Sequence, residues 1–197
     1  MRNYLRLILN LFFRGNNLFW VLIIAKFKNN KIHIGPSSNL KNSHFYISGS
    51  ENIIHVGNHC GLSGLNIYIN CSGCSVYIGD KVIVSASAES PTCFYACDGG
   101  SIVIKDNCLF SNRIEVLTTD FHEIFNEQGV RYNHCSNVII GEHCWIGMQA
   151  LILKGVSLSD NTVVGARSVV TKPCYESNVV MAGFPAKVIK KGIEWKI

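Results

Sequence analysis

Apolar residues recur at every sixth position through the stretch from Val138 to Cys174. Counted from Ile140, the first position of each hexad is aliphatic and the fifth position is small. The first positions are Ile140, Ile146, Ile152, Leu158, Val164 and Val170, and the fifth positions are Cys144, Ala150, Val156, Thr162, Ser168 and Cys174. A period of six fits neither an α-helix nor the two-residue alternation of an isolated strand, so the chain must turn at regular intervals.

Short strands joined by tight corners satisfy this pattern. The aliphatic side chain of each hexad points inward, and the small fifth residue fits where the corner narrows. Three faces make one coil, so Ile140 lies under Leu158, 18 residues further on. The hexads therefore predict an all-β fold, a parallel β-helix of hexapeptide repeats with a continuous apolar core over residues 31–174.

The pattern continues towards the amino terminus, with interruptions. Ile34, Val56, Ile78 and Ile104 fit one position on successive coils, at spacings of 22, 22 and 26 residues. The residues in excess of 18 are expected to form loops at the corners of the coils. Four polar stretches are the candidates for these loops, namely 39–44, 48–52, 70–75 and 86–100.

A break in the period predicts an extruded arm. The hexad register would place His122, Gln128 and His134 in the apolar column. Polar side chains cannot fill that column, so residues 118–137 are expected to leave the coil as a loop. Loops of this length in compact domains usually carry a function.

Residues 2–17 show a helical pattern. At about 100° per residue, their arginines and asparagines fall within one arc, and the other positions are mostly apolar. This predicts an amphipathic helix within an amino-terminal segment of residues 1–30, which either caps the first coil or lies on a membrane surface through residues 2–25. The apolar run 18–25 is too short to cross a bilayer. We expect a cytoplasmic protein, with peripheral attachment to the inner face of the membrane as the alternative.

Composition agrees with a long internal core. Hydrophobic residues make up 48% of the 197 positions and charged residues only 16%. The formal net charge of +5 favours anionic ligands such as phosphates. The basic residues form no continuous stripe of the kind that nucleic-acid-binding proteins carry, so no nucleic-acid partner is expected.

The nine cysteines are expected to be structural and reduced. Four of them occupy fifth positions of hexads, where a small side chain is needed; they are Cys60, Cys108, Cys144 and Cys174. Cys71 and Cys74 form a single CxxC, and no second pair follows at the spacing of a zinc site. The sequence therefore predicts packed thiols and no metal cofactor.

Several motifs together resemble a known family. They are the arm segment Thr119–Glu123, the Trp-Ile-Gly of 145–147, the run 165–172 and the tail segment 182–189. Over residues 30–191 the chain resembles the hexapeptide-repeat acyltransferases, and most of all the O-acetyltransferases of bacterial surface polysaccharides, with galactoside and maltose acetyltransferases as relatives. The resemblance implies a left-handed β-helix, an exception to the usual right-handed crossover. It also implies a homotrimer that binds acetyl-CoA between adjacent subunits.

The resemblance assigns the general base to His122 on the arm. A sugar hydroxyl is a poor nucleophile at neutral pH, and a neutral imidazole within hydrogen-bond reach can take its proton as it attacks the thioester. The oxyanion that forms needs a donor, which the resemblance places at the backbone N–H of Met148. Asp120 or Glu115 could orient the imidazole.

The resemblance also implies an acetyl-CoA site that includes the carboxy-terminal tail, residues 175–197. The implied contacts are Trp145, Gly147, Gly165, Ala166, Lys172, Lys187 and Lys190. Glycine and alanine backbone would follow the pantetheine arm, and the lysines would lie near the phosphates. Trp145 should face outward, either as a subunit contact or as a surface on which a ligand packs. The Phe184–Pro185 bond is expected to be cis.

Two residues depart from the family pattern near the expected acceptor pocket. They are Leu117, where many relatives carry Arg, and Phe121, where a small polar residue is usual. The acceptor sugar, the position acetylated and the length of the acyl chain therefore stay open. The expected function is acetyl transfer to a sugar hydroxyl in surface-polysaccharide biosynthesis.

Other classes of function remain as alternatives. An N-acetyltransferase acting on an amino sugar linked to a nucleotide would share almost all of these residues. A scaffold without catalysis would keep the solenoid but fail to bind acetyl-CoA. A β-helical carbonic anhydrase would need three histidines on zinc, and a ping-pong mechanism would need an accessible cysteine thiolate.

Overall fold

The computed structural model describes residues 29–196 in full and, before them, only the strand backbones at 4–9, 12–13, 16–19 and 21–26. Throughout these residues the regular secondary structure is β-strand. In chain order the strands are β1 (Tyr4–Leu9), β2 (Phe12–Phe13), β3 (Asn16–Phe19), β4 (Val21–Lys26), β5 (Lys31–Ile34), β6 (Asn39–Lys41), β7 (His44–Ile47), β8 (Ile53–Val56), β9 (Gly61–Ser63), β10 (Leu65–Ile69), β11 (Ser75–Ile78), β12 (Ile83–Ser85), β13 (Thr92–Tyr95), β14 (Ser101–Ile104), β15 (Leu109–Phe110), β16 (Glu115–Leu117), β17 (Val138–Ile140), β18 (Trp145–Ile146), β19 (Leu151–Ile152), β20 (Ser157–Leu158), β21 (Thr162–Val164), β22 (Val169–Val170), β23 (Val179–Gly183) and β24 (Ala186–Lys191).

The strands form three sheets that are the three faces of a parallel β-helix. Sheet A has the order β1-β4-β7-β10-β13-β16-β19-β22, and sheet C has the order β20-β17-β14-β11-β8-β5. Sheet B has the order β2-β3-β6-β9-β12-β15-β18-β21-β23-β24. From β4 to β22 the chain passes from sheet A to sheet C to sheet B and back to sheet A, so every third strand lies in the same sheet.

The predicted stacking of apolar residues is confirmed. In sheet C the residues that pair from coil to coil are, in order, Ile34, Val56, Ile78, Ile104, Ile140 and Leu158. From Val56 onward these side chains are at most 2% exposed. Burial of one aliphatic side chain contributes about 1.5–3 kcal/mol, so the column is a main source of stability.

The cysteines at the corners are part of this core, as predicted. Cys60, Cys108, Cys144 and Cys174 are buried, and all nine cysteines are free thiols. The thiol of Cys60 donates to the Gly79 carbonyl at 3.1 Å, and the thiol of Cys108 donates to the Gly141 carbonyl at 3.0 Å. These thiols fill the narrow corners and bond to the next coil.

Two of the four predicted corner loops are partly wrong. The stretch 39–44 contains β6, and the stretch 86–100 contains β13. In β6 the polar Asn39 and Lys41 are exposed while Leu40 is buried in the core. The polar residues therefore marked the outer side of a strand and not a loop. The other two predicted loops are the corners that join β7 to β8 and β10 to β11.

The amphipathic helix predicted for residues 2–17 is corrected where the structure describes this segment, because its backbone forms β1, β2 and β3. β1 pairs with β4, and β4 extends sheet A through its pairing with β7. The edge of the first coil offers unpaired N–H and C=O groups, and apolar residues satisfy them as strands. The other residues of this segment and all of its side chains lie outside the described residues, as do the predicted cap and the membrane contact of residues 2–25.

The described part of the chain contains no helix with the length and apolar character needed to cross a bilayer.

The arm leaves the coil between β16 and β17, as predicted. The coils on either side of the arm stack directly on each other, because Ile104 pairs with Ile140 and Val116 pairs with Ile152. Residues 118–137 therefore form an insertion on an uninterrupted core.

Candidate active site

Most of the predicted site residues fall on two corners of the coil, at opposite ends of the strands of sheet A. Each strand of sheet A in the solenoid is entered from sheet B and left towards sheet C. We name the corner that enters β19 and β22 the glycine corner; it consists of residues 147–149 and 165–167. The corner that leaves sheet A is the arm corner; it consists of the arm (118–137), Lys154 and Lys172.

The glycine corner is built from the backbones of two stacked coils. A Cβ on Gly147 would lie 2.7 Å from the backbone nitrogen of Ala166 and 2.8 Å from the carbonyl oxygen of Val164, so only glycine fits between these coils. The N–H of Gly147 donates to the Val164 carbonyl at 2.8 Å. The carbonyl of Met148 accepts from the N–H of Arg167 at 2.8 Å. Among the described residues no acceptor is found for the N–H of Met148, so this corner presents a backbone donor at the surface.

Two of the three predicted phosphate lysines lie in the hairpin of β23 and β24, which forms the end of sheet B. Lys187 and Lys190 are exposed on β24, which pairs with β23. The hairpin turns at the Phe184–Pro185 bond, which is cis as predicted. Lys172 does not join the other two lysines within one chain. It lies at the arm corner, one coil beyond Lys154.

Trp145 faces outward from β18, as predicted, and 39% of its surface is exposed. Its ring centroid lies 5.9 Å from that of Trp195. Trp195 stacks on His143 with centroids 4.3 Å apart, and its indole N–H donates to the His143 carbonyl at 2.9 Å. The sequence analysis did not identify Trp195, because the tail carries no period. This contact fixes the tail beside the exposed face of Trp145.

The arm consists of an outgoing limb, residues 118–125, and a returning limb, residues 131–137. An isolated antiparallel bridge joins Phe125 to Arg131 near the tip. Nη1 of Arg131 donates to Oε1 of Glu123 at 2.8 Å. Both a backbone contact and an ion pair therefore hold the two limbs together.

Asp98 anchors both limbs to the preceding coil. Its Oδ2 accepts from Nη2 of Arg131 at 3.1 Å and from Oγ1 of Thr119 at 2.9 Å. Oγ1 of Thr119 in turn accepts from the N–H of Phe121 at 3.2 Å. The thiol of Cys135 donates to the Asp98 carbonyl at 3.0 Å. The arm is thus bound to the solenoid by side chains on both limbs.

Asp120 and Lys154 form an ion pair at the base of the arm. Nζ of Lys154 lies 2.6 Å from Oδ2 of Asp120 and also donates to the carbonyl of His134 at 3.0 Å. The hydrogen bond from Lys154 lowers the pKa of the Asp120 carboxyl, and a hydrogen bond from Asn133 acts in the same direction. The carboxylate of Asp120 therefore fixes the arm to the stacked coils.

His122 lies exposed on the outgoing limb, but its backbone is held. Its N–H donates to the carbonyl of Asp120 at 2.8 Å, and its own carbonyl accepts from Nδ2 of Asn133 at 2.7 Å. Within residues 29–196, no hydrogen bond is found for the imidazole. The hydrogen bond expected from the ring to Asp120 or Glu115 is therefore not formed in this structure. A fixed backbone and an unengaged ring leave the imidazole available to a substrate.

The two corners are not brought together within one chain. The glycine corner precedes the strands of sheet A and the arm corner follows them, so the two corners are separated by the length of these strands. In the described residues no hydrogen bond, ion pair or ring contact joins His122 to residues 147–149 or 165–167.

Three buried thiols of the solenoid, those of Cys60, Cys93 and Cys97, are poor candidates for a nucleophile. Burial raises the pKa of Cys60 and Cys93, and it raises the pKa of Cys97 to about 11. In the part of the chain that the structure describes, no three His, Cys, Asp or Glu side chains are grouped so that they could hold a metal ion.

Comparison with known proteins decides the family. The model of the family described as bacterial transferase hexapeptide (six repeats) matches residues 137–172. The polysialic acid O-acetyltransferase of Neisseria meningitidis is 33% identical over 168 residues, which are 85% of this chain and 75% of that protein. The chain belongs to the hexapeptide-repeat acetyltransferases.

Two further comparisons agree. The galactoside O-acetyltransferase of Escherichia coli (strain K12) is 35% identical over 96 residues, which are 48% of this chain and 46% of that protein. The crystallographic structure of the polysialic acid O-acetyltransferase OatWY matches with a TM-score of 0.62 at 30% identity, over 86% of this chain and 89% of that chain. This hexapeptide-repeat acetyltransferase therefore has the left-handed β-helix, and it is an acyltransferase, as predicted.

Two side chains at the arm of this acetyltransferase escaped the sequence analysis. Lys154 could have been found, because the register of Val116 with Ile152 places it one coil beyond Thr118, where the arm begins. Asn133 has no such signal, because it lies inside a segment without a period. Its contacts become visible only in the structure.

Proposed function

We propose that this acetyltransferase transfers the acetyl group of acetyl-CoA to a sugar hydroxyl of a bacterial surface polysaccharide, such as a capsule or an O-antigen. The observation that carries the proposal is the arm, which holds the backbone of His122 at both ends and leaves its imidazole exposed. The relatives support the chemistry, since they are O-acetyltransferases of polysialic acid and of galactosides.

In the proposed reaction, the neutral imidazole of His122 accepts the proton of the sugar hydroxyl. The hydroxyl oxygen attacks the thioester carbonyl, an ester bond forms, and the carbon–sulfur bond breaks. The imidazolium then returns its proton to the leaving thiolate of CoA. Base catalysis of this kind is typically worth about 10²- to 10⁴-fold in rate.

The glycine corner is the part of the proposed site that binds acetyl-CoA and stabilises the oxyanion. The N–H of Met148 points to no partner in the described residues and would stabilise the oxyanion of the tetrahedral intermediate. Pantetheine would follow the backbone of Gly147, Gly165 and Ala166, whose own side chains are no larger than a methyl group. The ammonium groups of Lys187 and Lys190 are suited to the phosphates.

The proposed site is assembled between copies of the chain. His122 and Met148 lie beyond opposite ends of the sheet A strands. The arm corner of one copy must therefore meet the glycine corner of a neighbouring copy for both residues to act on one thioester. A cyclic homotrimer provides three equivalent junctions of this kind. Lys172, at the arm corner, would then reach acetyl-CoA bound to the neighbouring copy. The exposed face of Trp145 would also reach this acetyl-CoA.

The proposal is tested by release of free CoA thiol from acetyl-CoA with wild type and His122→Ala. The acceptor panel contains sialic acid oligomers, galactosides, maltose and amino sugars. We expect turnover with a hydroxyl acceptor that falls at least about 100-fold in His122→Ala, while acetyl-CoA binding is unchanged. Full activity of the variant would contradict the base assignment. Turnover only with amino sugars would show that the protein is an N-acetyltransferase and not an O-acetyltransferase. Absence of acetyl-CoA binding would contradict the enzyme assignment and favour a scaffold without catalysis.

A further inference from the structure

Asn133 is the one buried polar side chain of the returning limb, and it bridges to the outgoing limb. It is only 5% exposed although most of the arm is open to solvent. Its Nδ2 donates to the carbonyl of His122 at 2.7 Å and to Oδ2 of Asp120 at 2.9 Å. Its Oδ1 accepts from the N–H of Ile124 at 2.7 Å. A single amide therefore binds the chain before, at and after His122.

The hydrogen-bonding capacity of this amide is matched to the outgoing limb. Both amide hydrogens of Asn133 are used, and its oxygen has a partner. A buried amide with three good hydrogen bonds holds its neighbours at fixed distances, and loss of one partner leaves a buried group unsatisfied. No other side chain in residues 29–196 bonds to the backbone of His122.

The backbone next to His122 is also strained. Phe121 has a φ of 65°, a conformation that bulky side chains rarely adopt. Its ring packs edge-to-face on Tyr95 with centroids 5.5 Å apart, and its N–H binds Thr119. Such a conformation is energetically unfavourable and persists only where the surroundings impose it. Asn133 supplies the restraint on the other side of His122.

We propose that Asn133 is a positioning residue for His122. Its amide fixes the carbonyl of His122 and the N–H of Ile124 so that the imidazole keeps its aim at the acceptor hydroxyl. The inference rests on the proposed function, because it concerns the placement of the proposed base. This role acts through the backbone of the outgoing limb and requires no contact of Asn133 with acetyl-CoA or the sugar.

The test is the variant Asn133→Asp, which keeps the shape of the side chain. The aspartate retains an acceptor for Ile124 but loses both donors, and it places a second carboxylate beside Asp120. We expect kcat to fall about 10- to 100-fold, since a displacement of about 1 Å at a reacting group costs up to about 100-fold. The KM for acetyl-CoA should stay unchanged, because none of the proposed contacts to acetyl-CoA lies on the arm.

The matched control is Asn126→Asp on the same arm. Oδ1 of Asn126 accepts from the N–H groups of Gln128 and Val130 at the tip, an arrangement that aspartate reproduces. This variant should keep the wild-type kcat. Equal losses in the two variants would show that the arm responds to any added carboxylate, and would overturn the inference.

A double variant separates positioning from general damage. In a His122→Ala background the base is gone, so Asn133→Asp should cause no further loss of rate. Losses that multiply in full would mean that Asn133 acts independently of His122, which overturns the proposal. Asn133→Ala, made alongside, lacks the added charge and should show the same dependence on His122.

The outcome also distinguishes this inference from the proposed function. If His122→Ala is inactive while Asn133→Asp and Asn133→Ala turn over at the wild-type rate, the base assignment stands and the positioning role is wrong. If His122→Ala is fully active, the base assignment is wrong, and the positioning role is wrong with it.

Discussion

The glycine corner and the arm corner border the same sheet but are held in different ways. At the glycine corner, backbone groups of successive coils bond to each other, as in the 2.8 Å contact from Gly147 to Val164. At the arm corner, side chains do this work, and the amide of Asn133, the ammonium of Lys154 and the carboxylate of Asp98 hold the chain.

The difference shows what a repeat can and cannot supply. A repeated coil presents the same backbone geometry again and again, which suits an extended donor and an oxyanion that needs only an N–H. A general base is a single side chain in a single place. The acetyltransferase carries the proposed base on a long insertion, residues 118–137, and fixes that insertion with contacts that no repeat provides.

The largest expected effect at the glycine corner comes from Ala166→Trp. Ala166 is exposed and occupies the third position of its hexad, where the proposed pantetheine path runs. An indole there should raise the KM for acetyl-CoA about 100-fold by displacing the donor, with little change in unfolding temperature. Kinetics with varied acetyl-CoA measure this. Glu142→Trp, at the same hexad position of another corner, should leave the KM unchanged; equal effects would count against the donor path.

A smaller effect is expected at the arm corner from Lys154→Met. This change removes the 2.6 Å ion pair with Asp120 and the hydrogen bond to the His134 carbonyl. Each limb of the arm therefore loses one contact with the coil. We expect kcat to fall about tenfold with the KM for acetyl-CoA unchanged. The control is Lys105→Met, since Lys105 forms an exposed ion pair with Asp160 away from both corners. A change in KM alone would place Lys154 in the donor site.

The same ion pair predicts a pH effect. Lys154 lowers the pKa of Asp120 in the folded protein, so the contribution of this pair to stability is complete above the ordinary pKa of about 3.9 and is lost as the pH falls through the lowered value. In Lys154→Met the pKa of the Asp120 carboxyl should rise towards its ordinary value. Carbon-13 NMR of the carboxyl group measures the shift. An unchanged pKa would show that Asn133 and Arg131, and not Lys154, lower it.

The smallest effect is expected from Cys135→Ser. Cys135 is the half-buried thiol of the arm, and it donates to the Asp98 carbonyl, a bond that a serine hydroxyl can replace. In direct transfer this variant should change kcat less than about twofold. Loss of activity, with an acetylated cysteine found in the wild type by mass spectrometry, would indicate a ping-pong mechanism.

The hexads predicted most of the fold because each one repeats the same physical requirement. The stacking of Ile34, Val56, Ile78 and Ile104 followed from their spacing, and so did the place where the arm leaves the coil. The glycine corner followed from family motifs that lie within the hexads.

The rest depends on contacts that have no period. Asn133 and Trp195 act through partners distant in sequence, and nothing in their neighbourhood marks them. In residues 2–17 a helical arc of polar residues was overridden by pairing, because the edge of the first coil accepts strands.

The central claim is that an arm corner and a glycine corner from two copies make one site. The most direct test is co-expression of His122→Ala and Ala166→Trp with different tags, followed by purification of oligomers that carry both tags. Each mixed trimer would contain one junction with an intact arm and an intact glycine corner. At acetyl-CoA concentrations near the wild-type KM, where both parents are nearly inactive, we therefore predict about one third of wild-type activity. Mixed oligomers as inactive as their parents would contradict a site shared between copies.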